Sequence, residues 1–281
     1  MSMRSRFAPS PTGYLHLGHA YSALTAFAKS GHNPERFCLR IDDLDFTRCR
    51  AEYETALFED LEFLGISWTS EPLRQSLRTS RYEEAFHTLK SQELIYPCYL
   101  SRKEVTGFLS APHLAQTCAP RTKGSLSDDE IADRIARGQH PVWRLDSHNA
   151  LKRTGELTWC SDDGHHHPVD VASFGDVILG RRDIPYSYHL SVVLDDADSD
   201  IELVVRGQDL ETSTPIHRML QALLGLPSPC YHHHRLITDQ NGQRLAKRND
   251  ALSLRRLRQA GASLSDLMAL LTSYEDKHQT M

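Results

Sequence analysis

The segment SPTGYLHLGHA, residues 10–20, most constrains the fold, because it joins a short strand-like stretch to the start of an amphipathic helix. Downstream, Tyr21, Leu24 and Phe27 recur at helical spacing, and Gly31 stands where a helix would end. Small residues at a strand-to-helix junction present backbone amides and the positive end of a helix dipole to an anion. The segment therefore predicts an α/β chain whose first helix begins at an anion site.

His16, Gly18 and His19 are the candidate phosphate ligands of this motif. A glycine at position 18 would let a phosphate approach the backbone. The two imidazoles can donate N–H groups to triphosphate oxygens as charge builds at the α-phosphorus. The alternative is an ordinary helix start that happens to contain two histidines. The pattern H-x-G-H alone is too weak to distinguish the two interpretations.

The N-terminal third of the chain alternates strand and helix patterns. Residues 36–42, RFCLRID, have the alternation and β-prone composition of a strand, and residues 49–65 carry apolar side chains on one helical face. Ser80 with Glu83 has the spacing of a capping box, which predicts a helix that runs to about residue 93.

The middle of the chain differs in character. Residues 95–175 are rich in turn-forming residues and contain one capped helix, Ser127 to Gly138, so we interpret them as an inserted subdomain. The predicted elements after the insert are, in order, strands around a Gly180 turn in residues 176–196, a strand at 201–207, a helix at 214–225 and a strand entering residues 235–248.

A second anion-binding signal lies near the C-terminus. Arg244, Lys247 and Arg248 follow a glycine-bearing turn, which suits a loop that closes cations on a leaving pyrophosphate. The same letters also describe a solvated charged turn. Two such signals at opposite ends of one α/β unit together indicate adenylyl transfer.

The charge balance limits what the surface can bind. Net charge is −5, which excludes a uniformly basic surface for nucleic acid but not a local basic face. The candidate patch is residues 244–248 with the LRRLRQ stretch, residues 254–259, and a solvated helix face is an equally good interpretation.

The chain has no segment typical of a membrane or secreted protein. It contains no apolar run near the roughly 20 residues of a membrane span, and its N-terminus lacks the apolar core of a signal peptide. Its six cysteines have no framework spacing. We expect a cytoplasmic protein with reduced thiols, no disulfide and no membrane partner.

Five motifs carry a resemblance to a known family. RFAPSPTGYLHLGHA, RIDDLD, YSYHLSVVLDD, VVRGQDL and RLAKR occur in this order, and together they resemble the catalytic half of glutamyl-tRNA synthetases, class I enzymes with HIGH and KMSKS signatures. HLGH occupies the place of the HIGH signature, and RLAKR occupies the place of KMSKS. The resemblance covers about residues 4–250 and implies that ATP, Mg²⁺ and L-glutamate are bound.

The resemblance implies an architecture. Residues 1–94 and 176–250 would form a split Rossmann-like class I catalytic domain of α/β class, and residues 95–175 an inserted acceptor-type α+β subdomain. Residues 251–281 would be a short C-terminal helical stub. We expect a monomer with no anticodon-binding domain, since the chain ends at Met281.

The resemblance also implies a glutamate pocket. Asp42, which replaces the family's glutamate and is one methylene shorter, would receive the substrate ammonium, directly or through water. Arg206 would pair with the substrate carboxylate through its planar fork, and Tyr188 would supply a hydroxyl. The residues alone favour a core role for Tyr188 and a sheet-edge role for Arg206. The residues predicted to bind glutamate are Arg6, Phe7, Ala8, Pro9, Ser10, Asp42, Tyr188 and Arg206. Those predicted to bind ATP are Gly18, Arg244, Lys247 and Asp209, although Asp209 could instead brace a turn. The predicted catalytic residues are His16, His19 and Lys247.

Metal sites are not expected from the sequence. Relatives often carry four zinc ligands in the insert, but here only Cys98 and Cys118 remain, and Leu100 and Leu114 replace the other two. We therefore expect no zinc, although His113 can in principle assist. The acidic run at residues 195–200 is interpreted as a solvated loop. The histidine triplets at 165–167 and 232–234 are at most adventitious metal sites.

Within the family, the chain most resembles the stand-alone paralogue that attaches glutamate to queuosine, a modified base in the anticodon of tRNA(Asp). The rival interpretations are a truncated synthetase that charges a tRNA 3′ end, a catalytically silent paralogue that binds nucleotide or amino acid, and a small-molecule adenylyltransferase. Retention of His16, His19 and Lys247 argues against the silent paralogue. A small-molecule adenylyltransferase would not require the combination of Tyr188 and Arg206.

Overall fold

The structure is a computed structural model that describes residues 2–101, 103–105, 122–237 and 253–276. The chain forms two compact units. The first comprises Met1–Leu77, Asp200–Glu211 and Pro229–Met281, and the second comprises Arg78–Ser199 and Thr212–Ser228. The domain division expected at residues 94 and 176 stays a prediction.

Ten strands and nine α-helices have their bounds within the described residues, and they are numbered in chain order. They are β1 Ser5–Phe7, α1 Leu17–Lys29, β2 Phe37–Ile41, α2 Ala51–Phe63, β3 Leu73–Arg74, α3 Thr79–Ser91, β4 Ile95–Cys98, α4 Asp128–Ala136, β5 Val142–Leu145, α5 Ser147–Thr154, β6 Thr158–Ser161, β7 His166–Pro168, β8 Ile178–Gly180, α6 Tyr188–Asp198, β9 Leu203–Gly207, α7 Thr214–Leu224, β10 Cys230–His234, α8 Leu254–Gln259 and α9 Leu264–Asp276. None of these helices is long and apolar enough to cross a membrane.

The first unit is built on a parallel sheet in the order β3–β2–β1–β9–β10. Successive side chains along each strand point to opposite faces of the sheet, as in any pleated strand. One face is apolar and belongs to the core of the unit, where it packs with α1, α2 and α9. The expected α/β fold is confirmed, and the opposite face of the same strands, described below, is polar.

Helix α1 shows how the sequence produces the local structure. Leu17, Ala20, Ala23 and Phe27 recur at helical spacing and are all buried. The helix ends before Gly31, which adopts the left-handed conformation (φ +73°) that glycine tolerates best. The predicted first helix is therefore confirmed, and its start is fixed by the histidine motif.

The second unit contains a three-stranded antiparallel sheet, β4–β5–β8, and an antiparallel hairpin, β6–β7. Helix α4 begins with the predicted capping box, in which Ser127 accepts from the amide of Glu130 and Glu130 accepts from the amide of Ser127. Helix α7 also begins and ends as predicted, with Pro215 in its first turn and Gly225 in the left-handed region.

The capping box predicted at Ser80 is wrong. Helix α3 begins at Thr79, its N-cap residue is Arg78, and no side chain caps it. Arg78 is instead held by tertiary contacts, since its Nε donates to Asp195 at 2.8 Å. A tertiary ion pair thus decides where this helix begins.

The strand predicted around Tyr188 is also wrong. Residues 188–198 form helix α6, with Ser187 as the N-cap whose Oγ accepts from the amide of Leu190. The valines at its centre favour a strand locally, but they are buried within the second unit, and tertiary packing overrides that preference.

The acidic run at residues 195–200 is not a solvated loop. Asp195 is fully buried in the last turns of α6, where its carboxylate accepts from the Tyr82 hydroxyl at 2.9 Å and from Arg78. Asp198 pairs with Arg81 at 2.9 Å. Arg78, which precedes α3, and Arg81 and Tyr82 within it therefore compensate charges that the sequence alone places in solvent.

Candidate active site

The strand order of the first unit creates a topological switch point. From β1 the chain proceeds to β2 and β3 on one side, while β9 and β10 lie on the other. In open parallel sheets, ligands bind outside the carboxyl ends of the strands where the order reverses. The crevice between β1 and β9 is therefore the place where the fold favours a ligand, and α1 begins there.

His16 and His19 cap the start of α1 together. The amide of Gly18 donates to Nδ1 of His16 at 3.1 Å, and the amide of His16 donates to Nδ1 of His19 at 3.2 Å. Their ring centroids lie 3.8 Å apart. The two histidines thus act as the Ser and Glu of a capping box would, and satisfy amides that a helix start leaves unpaired.

This cap determines which nitrogen carries the proton in each neutral ring. A nitrogen that accepts a hydrogen bond holds no proton, so in the capped state the proton of each imidazole is on Nε2. Both histidines therefore carry an Nε2–H group near the positive end of α1, and such a group can donate a hydrogen bond to an anionic oxygen.

Gly18 has a different structural role from the one the sequence suggested. A Cβ built at this position would lie 3.1 Å from Cε1 and 3.2 Å from Nδ1 of His16. The missing side chain therefore makes room for the His16 ring, in addition to any access it gives a phosphate.

Three charged side chains share the polar face of the sheet. In the register Arg6 pairs with Cys38, so Arg6 and Arg40 lie on one face, opposite the apolar core. Arg40 donates to both carboxylate oxygens of Asp42, at 2.6 and 3.3 Å. Asp42 is thus held by a bidentate ion pair that the sequence analysis missed, although the alternation of RFCLRID places the two residues on one face.

Arg206 lies on this same face, on β9 across the switch point from Arg6. Its Nε donates to Nε2 of His233 at 3.4 Å, and its guanidinium carbon lies 5.2 Å from the ring centroid of Tyr231. Arg6 donates to the carbonyl of Val205 at 3.0 Å, the residue before Arg206. Arg6 and Arg206, each 5% exposed, are therefore buried cations on neighbouring strands.

The remaining residues of the predicted first segment divide between the two faces. Phe7 points into the apolar core, opposite Arg6, because successive strand residues alternate. Its predicted contact with glutamate is therefore not supported by the orientation of its side chain. The carbonyl of Pro9 accepts from the amide of Asp42 at 3.0 Å, so the segment of Ala8, Pro9 and Ser10 adjoins the end of β2.

Asp209 and Tyr188 have different locations. Asp209 is exposed after β9, and its carboxylate occupies the space that a Cβ on Gly207 would fill. Tyr188 is the first residue of α6 in the second unit and is 39% exposed. In that unit its ring lies 5.6 Å from the ring of His217, whose Nε2 is hydrogen-bonded to Nδ1 of His189 at 3.1 Å. A core role for Tyr188 is excluded by this exposure.

The predicted cations Arg244 and Lys247 lie outside the described residues, but the chain after them returns to the site. Ser253 forms a β-bridge with His16, and the amide of Leu254 donates to the carbonyl of Leu15 at 2.8 Å. Six residues of fully extended chain span at most about 20 Å. Covalent geometry alone therefore keeps Lys247 within that distance of Ser253, and Ser253 adjoins the first histidine.

The residues expected to be zinc remnants are only partly described. Cys98 and Leu100 are buried, and the thiol of Cys98 donates to the Thr122 hydroxyl at 3.7 Å, while Cys118 lies outside the described residues. Within the described ranges, no group of three or more His, Cys, Asp and Glu side chains is arranged to hold a metal ion.

Together, the parallel sheet, the switch point and a histidine-capped helix start define a nucleotide-binding α/β fold. Residues 2–273 match the family described as tRNA synthetases class I (E and Q), catalytic domain. The chain belongs to this family.

Two curated relatives and one solved structure illustrate the match. The chain is 43% identical over 278 residues to the "Glutamyl-Q tRNA(Asp) synthetase" of Rhodobacter capsulatus, covering 96% of this chain and 99% of that protein. It is 36% identical over 276 residues to "Glutamate--tRNA ligase 2" of Gluconobacter oxydans, covering 96% of this chain and 60% of the other.

The solved structure is a glutamate tRNA ligase from Elizabethkingia meningosepticum in complex with its amino acid. It superimposes with a TM-score of 0.68 at 25% identity, and the match covers 89% of this chain. This chain spans about half of the solved chain, 53% of its length.

Proposed function

We propose that this protein activates L-glutamate with ATP and transfers it to queuosine in the anticodon of tRNA(Asp). The observation that carries the activation step is the placement of His16 and His19, as paired Nε2–H donors, at the switch point that also holds Arg6 and Arg206. The match over nearly the whole of the Rhodobacter capsulatus relative supports the acceptor, because that protein's name specifies it.

In the first step the α-carboxylate of glutamate attacks the α-phosphorus of ATP, and pyrophosphate leaves. His16 and His19 donate to phosphate oxygens whose charge grows in the pentavalent transition state. Lys247 and Arg244 neutralise the departing pyrophosphate. The products are glutamyl-adenylate and pyrophosphate, and no protein nucleophile is needed.

Mg²⁺ would accompany the ATP phosphates, as this ion usually does when it binds through substrate. We assign it to none of the described residues, because no group of three or more candidate ligands occurs among them. Gly18 and Asp209 complete the proposed ATP site. Gly18 leaves room for the His16 ring. Asp209 lies after the end of β9, where its carboxylate can accept a hydrogen bond from a ribose hydroxyl.

The glutamate pocket uses the polar face of the sheet. Arg206 pairs with the side-chain carboxylate of the substrate, because a buried guanidinium binds a carboxylate with two parallel hydrogen bonds. Asp42 accepts the ammonium, since a carboxylate offers about four acceptor sites and Arg40 uses two of them. Arg6 adds positive potential beside Arg206.

In the second step a hydroxyl of the queuosine ring attacks the carbonyl carbon of the adenylate. An ester forms, and AMP leaves with the bond electrons. The test is transfer of radiolabelled glutamate, side by side, to queuosine-containing tRNA(Asp), queuosine-free tRNA(Asp) and tRNA(Glu). We expect labelling of the first RNA alone, with glutamyl-adenylate formed in every reaction.

An isolated anticodon stem-loop of tRNA(Asp) sharpens the test. If the acceptor is queuosine, the modified stem-loop should be glutamylated nearly as well as the whole tRNA, because the acceptor stem takes no part. Glutamate esterified to a terminal adenosine, with the stem-loop inert, would instead identify a synthetase that charges 3′ ends. Absence of adenylate with every RNA would identify a silent paralogue.

A further inference from the structure

The short helix α8 is anchored to the histidine motif at its first residue. Ser253, its N-cap, forms the β-bridge with His16, and Leu254 donates its amide to Leu15 and is fully buried. Whatever fixes α8 therefore also supports the backbone of Leu15 and His16.

Arg255 makes the first side-chain contact of this anchor. Its guanidinium carbon lies 4.6 Å from the ring centroid of Tyr14, and its Nη1 donates to the Tyr14 hydroxyl. The Tyr14 ring in turn packs edge-on against Tyr53 of α2, at 4.9 Å. Cation–π contact thus ties α8 to the residues just before His16.

Arg258 makes the second contact, to helix α2. It donates to Oδ1 of Asp60 at 2.8 Å and to Oε2 of Glu59 at 2.8 Å. Asp60 is fully buried, and its other carboxylate oxygen has no hydrogen-bond partner among the described residues. Loss of Arg258 would leave a buried charge uncompensated, which is strongly unfavourable.

These contacts change the interpretation of the LRRLRQ stretch as a basic surface for nucleic acid. Two of its three arginines, Arg255 and Arg258, are directed into contacts within the first unit. A guanidinium already held by a buried carboxylate is poorly placed to neutralise an RNA phosphate.

We infer that Arg255 and Arg258 are positioning residues for adenylate formation. By clamping α8 to Tyr14 and Asp60, they hold Ser253 beside His16 and so fix the backbone from which His16 presents its ring. The inference rests on the proposed activation of glutamate. A displacement of about 1 Å at a reacting group can reduce a rate by about 10²-fold, so a secure anchor matters to the chemistry.

The test compares two arginine variants whose partners lie on the same helix. Arg258→Met removes the clamp, and Arg74→Met removes the ion pair of Arg74 with Glu54, 2.5 Å long and also on α2, but remote from α8. Steady-state ATP–pyrophosphate exchange should show a fall in kcat of about tenfold or more for Arg258→Met, with the KM for glutamate unchanged. Arg74→Met should leave kcat within about twofold.

A conservative variant and a binding measurement complete the test. Arg258→Lys should recover part of kcat, because an ammonium can pair with Asp60 but not bridge to Glu59 as a fork. The Kd for tRNA(Asp) and its salt dependence should be unchanged in Arg258→Met.

Four outcomes would overturn the inference. An unchanged kcat with weaker, less salt-dependent tRNA binding would make α8 an RNA surface. Equal losses of kcat in Arg258→Met and Arg74→Met, in proportion to their loss of Tm, would reduce Arg258 to a structural role. Absence of exchange in the wild-type protein would refute the proposed function and this inference together, whereas an active wild type with an unaffected variant would refute the inference alone.

Discussion

Nδ1 of His19 accepts the backbone amide of His16 at 3.2 Å, so the second histidine of the motif holds the first in place. The pair forms a helix cap, and we propose that both rings also donate to the substrate phosphates. The structural role and the proposed chemical role therefore fall on the same two rings, and a variant has to separate them.

The substitution His19→Ala should lower the rate of ATP–pyrophosphate exchange by about 10² to 10³, as expected for loss of one preorganised donor to a charged transition state. It should also cost about 1 kcal/mol of stability through loss of the cap. His19→Gln separates the effects, because glutamine at the third helical position can keep the cap. We expect its Tm to return toward that of the wild type while the rate stays low. A wild-type exchange rate in His19→Ala would contradict the phosphate role.

The substitution Gly18→Ala should impair activation without destabilising the fold. The new Cβ would press on Cε1 and Nδ1 of His16, displacing the ring, whereas alanine is the better helix former by about 1 kcal/mol. We expect at least a tenfold loss of exchange with an unchanged or higher Tm. In a His16→Ala background the same substitution should have little further effect, because no ring remains to be displaced. A full penalty in that background would point to direct interference with substrate.

Asp60 should give the protein a measurable pH dependence of stability. Burial raises the pKa of this carboxyl from 3.8 to about 6, although Arg258 opposes the shift. Between those values the folded chain holds more protons than the unfolded chain, so stability falls as pH rises from about 4 to about 6. Relative to Asp60→Asn, the wild type should lose about 2 to 3 kcal/mol over this interval in urea unfolding. Glu59→Gln should keep most of the wild-type slope, because the Glu59 charge is a minor cause of the raised pKa of Asp60. The wild-type slope in Asp60→Asn would contradict the assignment.

Purified, tag-free protein should contain far less than one zinc per chain by elemental analysis. Leu100 is buried without a donor atom, and the thiol of Cys98 is hydrogen-bonded to Thr122. Two thiolates alone do not close a tetrahedral site. A content near one zinc that falls on changing Cys98 or Cys118 would show that other ligands have replaced the leucines.

Much of the fold could be predicted from local sequence signals. Helix α1 is an example, because the spacing of its apolar residues and Gly31 act within the helix itself. Helix α6 is the counter-example. Its valines favour a strand, and its burial, including the ion pair of Asp195 with Arg78 more than a hundred residues away, depends on contacts that no local pattern contains.

The candidate site was predictable to a similar extent. Strand alternation is sufficient to place Arg6 and Arg206 on the face opposite Phe7, once the order of the strands is known. The partners of these residues were not predictable. His233 beside Arg206 and Ser253 beside His16 come together only through the pairing of distant segments.

The bridge between Ser253 and His16 has a consequence for the cation six residues earlier in the chain. A group tethered within about 20 Å of a point shares a sphere that corresponds to an effective concentration of about 50 mM. A lysine free in solution would need this bulk concentration to be found in the same volume equally often. If Lys247 serves the phosphates as proposed, it does so as an intramolecular reagent, supplied by the chain itself rather than recruited from solution.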